Sequence, residues 1–186
     1  MNKIADVLLN PKRVKRHPFE LIFIAFFYTS ISMLLGYWIF PEYSSLFGIF
    51  FSVISCVYIV QGVFIVEERR ERDIDDEFVV LRRHFKTLKF LLILFLGFLF
   101  AYTFWTIILP ENIGLEIFKI QKTEIENIRS ITGSAINPGN FSLILFNNIR
   151  VLMFSLILAL FYGAGSVFIL VWNASIMGFV IGNITK

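Results

Sequence analysis

Histidine occurs twice in this chain, cysteine once and proline five times. A lone cysteine, Cys56, closes no intrachain disulfide and says nothing of redox compartment. In the middle of an apolar window it reads as a small apolar residue. His17 and His84 stand far apart, with no ligands at zinc spacing around them. Charge is scarce as well: 17% of residues carry it, and none falls within Leu21–Pro41, Tyr43–Val66, Phe90–Pro110 or Val151–Gly182. With no Asp or Glu deep in these windows, a proton relay or an intramembrane protease lacks its chemical groups. Asp73, Asp75, Asp76 and Glu77 cluster, but without the glycine and terminal glutamate of a calcium loop. Gly163-Ala164-Gly165-Ser166 is neither a nucleophile elbow nor a phosphate loop, since no lysine follows it. No catalytic, cofactor or metal site is expected.

What is present is oil-soluble. The chain is 57% hydrophobic and holds 23 phenylalanines. The first three windows approach the roughly 20 residues that cross a bilayer as a helix, and in lipid the backbone must satisfy its own hydrogen bonds. The last window, as one straight helix, would be about 48 Å long against a hydrocarbon core of about 30 Å. It is also punctuated by Gly163–Ser166, Asn173 and Gly178. The first window ends Trp38-Ile39-Phe40-Pro41 with no small-residue cleavage site, so it is not read as a signal peptide.

The expected fold is therefore an all-α polytopic membrane protein with about four transmembrane helices, near 19–40, 45–66, 89–110 and 149–172. Residues 1–18 form a basic leader, with a short interfacial turn around Ile4, Val7 and Leu8, and 19–66 a hairpin of spans 1 and 2. Residues 67–88 form an amphipathic helix, 89–110 span 3, and 111–146 an extracytoplasmic segment with its own amphipathic helix. Residues 147–186 hold span 4 and a Gly/Asn-containing tail; the tail 173–183 either extends span 4 or begins a re-entrant piece. Lys3, Lys12, Arg13, Lys15 and Arg16 precede span 1, and seven Lys or Arg from Arg69 to Lys89 lie between spans 2 and 3. That asymmetry places the N-terminus and 67–89 in the cytoplasm of a cell-membrane protein. The basic residues read as topology signals and headgroup contacts, so the lipid bilayer, not nucleic acid, is the expected partner.

Ile74, Phe78, Leu81, Phe85 and Leu88 form one stripe on 67–88. The stripe packs on the protein's own helices or the inner leaflet, or else offers a surface for self-association or a partner. Ile117, Phe118, Ile120, Ile125, Ile128 and Ile131 gather on one side of a helix in the outer segment, which is expected to lie on the membrane surface. Gln61 reads as a residue near the inner interface. Asn147, Asn148 and Arg150 make a collar before the last run, anchored toward headgroups or drawn into the bilayer. Gly178 and Gly182, like Ala159 and Gly163, have the spacing of a close helix interface. The competing reading is that Gly163 to Ser166 breaks the run, as discontinuous helices do at transporter sites.

Phe146-Asn147-Asn148-Ile149-Arg150, Phe161-Tyr162-Gly163-Ala164-Gly165, Trp172-Asn173-Ala174-Ser175 and Gly178 through Gly182-Asn183 together resemble the stage II sporulation protein M family, in its archaeal branch. Leu9-Asn10-Pro11-Lys12, Trp38-Ile39-Phe40-Pro41 and Leu96-Gly97-Phe98 fit the same branch, so the resemblance covers essentially the whole chain. It implies a multi-pass membrane protein that forms complexes. The best-known bacterial members hold cell-wall hydrolases at a septal membrane, a role that does not transfer to an archaeal-type chain. Members continue with further hydrophobic segments where this sequence stops at Lys186, which raises the expectation of a truncated membrane domain. The expected function is a non-enzymatic scaffold or complex-forming component, as a homo-oligomer or with membrane-protein partners. The alternative is a transporter or channel component with a polar site at the interrupted last span.

Overall fold

Hydrocarbon offers no hydrogen bonds to a peptide, so each apolar window has to close its own backbone ladder. The computed structural model describes residues 18–71, 77–132 and 164–186, together with Ile149, Met153 and Ile157; for 18, 67–71, 77, 79–84 and 128–132 only the backbone is described. The elements are α1 (Pro18–Ile39), a 3-10 turn (Pro41–Tyr43), α2 (Ser44–Glu71), α3 (Glu77–Ile108), α4 (Glu111–Ile117), α5 (Lys119–Thr132) and α6 (Gly165–Thr185). No strand occurs among the described residues. Among the described residues four helices, α1, α2, α3 and α6, are long and apolar enough to cross a membrane, which makes this an all-α polytopic fold.

Prolines mark the boundaries. Pro18 opens α1, Pro41 opens the 3-10 turn, and Pro110 precedes α4 with φ −55° and ψ 147°. Each stands where a missing N–H costs nothing.

The outward surface is rich in large apolar side chains, the reverse of a water-soluble protein. On α1 the large residues Phe19, Phe23, Phe27, Ile31 and Trp38 face outward, while Ala25, Thr29, Ser32 and Gly36 are buried. Lipid tails are as apolar as phenylalanine, so hiding large side chains gains little. Close approach of small residues gains dispersion and buries the backbone. Helix α1 packs along α2 and α3, and α6 packs along α3 and meets α2, so that α2 and α3 sit diagonally with little contact.

Glycines fix where these helices touch. A Cβ on Gly36 would lie 2.7 Å from the backbone N of Gly48, and one on Gly97 would lie 2.6 Å from Ala25 Cβ and 2.8 Å from Ile22 O. Contacts between α1 and α3 advance together, from Gly97 beside Ile22 to the Trp105 Nε1 that donates to Ser30 Oγ at 2.9 Å, so these helices run in the same direction. Helices α3 and α6 do likewise. Gly178 meets Leu99, Tyr102 and Thr103, Gly182 meets Thr103 and Thr106, and Lys186 Nζ donates to Leu109 O at 2.8 Å.

The last apolar helix departs from the expected 149–172. It begins at Gly165, after Ala164 in a turn, and continues without interruption to Thr185, so the tail 173–183 is helix interior. Hydropathy cannot choose which 20 residues of so long an uncharged run share one helix. The basic leader 1–17, Ile74, Asn147, Asn148, Arg150, Ala159 and Gly163 lie outside the described residues, as does the Leu81 side chain. Residues 67–71 and 77–88 are continuous with α2 and α3, and Gln61 is half-buried on α2. The described residues 111–132 form two helices, divided at Phe118 with φ −107° and ψ 20°.

Candidate functional site

Three groups of residues stand out once the helices are placed. The first is the seam between α3 and α6. Gly165, Ala174, Ser175, Gly178 and Gly182 are all buried on α6. A Cβ at Gly178 would come within 2.6 Å of Tyr102 Cβ and 3.0 Å of Thr103 N; one at Gly182 would come within 2.5 Å of Thr106 Cβ. Only glycine fits at either place. Ser175 Oγ donates to Trp172 O at 2.8 Å and Thr106 Oγ1 to Tyr102 O at 2.8 Å, so these two hydroxyls are satisfied within their own helices. That is the usual way for Ser and Thr to sit in an apolar interior.

Asn173 and Asn183 belong to neither the seam nor the interior. Both are exposed, and each turns its amide back on its own helix, Asn173 Nδ2 to Ile169 O at 2.7 Å and Asn183 Nδ2 to Phe179 O at 2.9 Å. The polar group that interrupts the last run in the sequence is thus satisfied locally on an outer face. The structure does not bring it to a pocket.

The second group is a line of hydroxyls inside the bundle, which no motif in the sequence singles out. Thr29, Ser30, Ser52, Tyr102 and Thr106 are buried. Ser30 Oγ donates to Phe26 O at 2.7 Å while accepting from Trp105, and Ser52 Oγ donates to Gly48 O at 2.7 Å. Thr29 Oγ1 and the Tyr102 hydroxyl are buried without a hydrogen-bond partner. The Tyr102 phenol lies beside Ser52, whose Oγ donates to Gly48 O and keeps its lone pairs open to a donor. Cys56 is buried within electrostatic reach of both Tyr28 and Tyr102. The one sequence signal for this group is the recurrence of Ser, Thr and Tyr inside windows otherwise uncharged.

The third group ties the outer segment to the α1–α2 turn. Ser44 Oγ donates to Glu116 O at 3.0 Å, Ser45 Oγ donates to Gln121 Oε1 at 2.5 Å, and Ile120 N donates to Ser45 Oγ at 3.2 Å. Gln121, Ile117 and Phe118 are buried beneath this knot. Phe118 stacks on Phe179 at 5.2 Å between ring centroids and meets Tyr102 edge-on at 6.3 Å. Helices α4 and α5 therefore form a cap docked on the bundle. Ile117 and Phe118 face protein, where the sequence suggested a helix laid on lipid.

These groups offer hydroxyls, aromatic faces and backbone carbonyls. Among the described residues no cluster of three His, Cys, Asp or Glu could hold a metal ion. Glu20, half-buried in the first turn of α1, is placed where a helix N-terminus favours negative charge. No family model, no curated protein and no solved structure matches this chain.

Proposed function

We propose that this protein is a non-enzymatic scaffold of the cell membrane, which holds membrane-protein partners or further copies of itself in place. The observation that carries the reading is the reach of α2 and α3. Their apolar spans are Pro41–Val66 and Phe85–Ile108, yet the helices continue to Glu71 and begin at Glu77. Phe78, Phe85, Leu88 and Leu92 are exposed along α3 from that projecting end into the span, with Phe78 84% exposed. Phe78 stands beyond the apolar span while Phe85, Leu88 and Leu92 lie within it, so one face of α3 offers a partner apolar side chains from the projecting end into the bilayer. The resemblance to the stage II sporulation protein M family points the same way, toward complex formation. The Lys and Arg bias supports a cytoplasmic position for this projecting end and for the N-terminus.

Crosslinking in native membranes from positions on the α3 stripe tests the reading. A self-contact or a captured membrane protein is the expected product; a strictly monomeric, partner-free protein is the result against it. A transporter component is the second reading, favoured by the buried hydroxyls of Thr29 and Tyr102, which have no partner. Asn173 lends it no support, being bonded to Ile169 O on an outer face. Solute flux through reconstituted protein, abolished by Tyr102→Phe, is the result that would establish it.

A further inference from the structure

We infer that α6 begins on one side of the membrane and ends on the other, so that Lys186 shares a side with the Pro41–Tyr43 turn and Gly165 lies opposite. Helix α3 ends at the cap: Ile108 leads through Pro110 into α4, which is bonded to Ser44, and α5 is bonded to Ser45. The cap and the α1–α2 turn therefore share one face. Helix α6 runs parallel to α3, because Gly178, Gly182 and Lys186 meet successively later residues of α3, up to Leu109. Its last residue is thus at the cap face.

A helix of 21 residues is about 31 Å long, so Gly165 starts near the opposite face. Arg150 is the only charge between Arg129 and Lys186. Ile149, Met153 and Ile157, the described residues between Thr132 and Ala164, are helical, exposed and spaced by four, as one outer face of a helix requires. No Lys or Arg follows Arg150 before Lys186, so the charge pattern does not oppose the assignment.

The inference concerns relative sidedness alone and is independent of any partner. Glu42→Cys, Glu71→Cys and Lys186→Cys variants of the full chain, labelled with a membrane-impermeant maleimide in right-side-out and inverted vesicles, test it directly. Native Cys56 is fully buried in a span and stays unlabelled. The Glu42→Cys and Lys186→Cys variants are expected to react from one side and the Glu71→Cys variant from the other. Reaction of the Lys186→Cys and Glu71→Cys variants from the same side, or of Lys186→Cys from both, would overturn it. Protease access to an epitope appended after Lys186 in the otherwise native chain gives the same reading without substitution.

Discussion

Adding a single methyl group at Gly178 is the sharpest perturbation this bundle offers. An alanine Cβ there would lie 2.6 Å from Tyr102 Cβ, 3.0 Å from Thr103 N and 3.2 Å from Leu99 O. Two of these three atoms are backbone and none is the end of a flexible side chain, so α6 must move away from α3. Ordinary carbon contacts lie at about 3.5–4.0 Å, which asks for a displacement of about 1 Å. A gap of that size forfeits about a quarter to a half of each dispersion well along the seam. Overpacking of this kind costs about 1–3 kcal/mol.

Against it stands the intrinsic preference of a helix for alanine over glycine, about 0.5–1 kcal/mol. The net expectation for Gly178→Ala is destabilisation of about 0–2.5 kcal/mol. Gly114→Ala is the control, because a Cβ there meets only Leu109 Cβ at 4.0 Å. That change should leave stability unaltered or raise it by up to about 1 kcal/mol. Reversible unfolding of purified protein in mixed detergent micelles measures both. Gly182→Ala should behave like Gly178→Ala, and pairing it with Thr106→Gly, which removes the Cβ at 2.5 Å, should recover part of the loss. If Gly178→Ala proved as stable as Gly114→Ala, close backbone contact could not be what holds α6 against α3.

Other outcomes follow from the same contacts. Gln121→Leu removes the acceptor for Ser45 Oγ from a buried site and should cost about 1–3 kcal/mol, seen first as faster amide exchange in α5. Trp105→Phe deletes the bond to Ser30 Oγ and should lower stability by about 0.5–1.5 kcal/mol; an unchanged unfolding midpoint argues against that bond. Asn173→Leu should be nearly neutral in both stability and assembly, because the amide bonds only its own helix on an exposed face. A large loss of either would mean that Asn173 meets a polar partner. The Cys56 thiol should react with a small permeant maleimide only after unfolding, and rapid labelling of native protein would contradict its burial.

The windows Leu21–Pro41, Tyr43–Val66 and Phe90–Pro110 match α1, α2 and the span of α3 to within a few residues, because in oil the absence of charge is itself the structural signal. Helix α6 is less legible. An uncharged stretch longer than one passage contains several equally apolar windows, and tertiary contacts, not hydropathy, pick among them. The spacing of Gly178 and Gly182 is readable as a close interface, whereas the partner helix is not. Gly36, Gly48 and Gly97, which fix two other crossings, each stand four residues from another small residue (Ser32, Ser52 and Ala101), but that spacing does not say which helix they meet. The cap escapes a reading by periodicity because Ile117 and Phe118 look alike whether they face lipid or protein. The serines that decide between these, Ser44 and Ser45, lie over 70 residues earlier in the chain.

Helix α3 is one unbroken rod from Glu77 to Ile108, about 48 Å from end to end. It carries Phe78 at one extremity, the seam in its second half, and the joint with the cap at the other extremity. A rod of this kind does not absorb torque along its length, so a tilt imposed near Phe78 arrives at Leu109 as an opposite swing. Whatever grips the projecting tip thereby holds a handle on the far surface of the membrane.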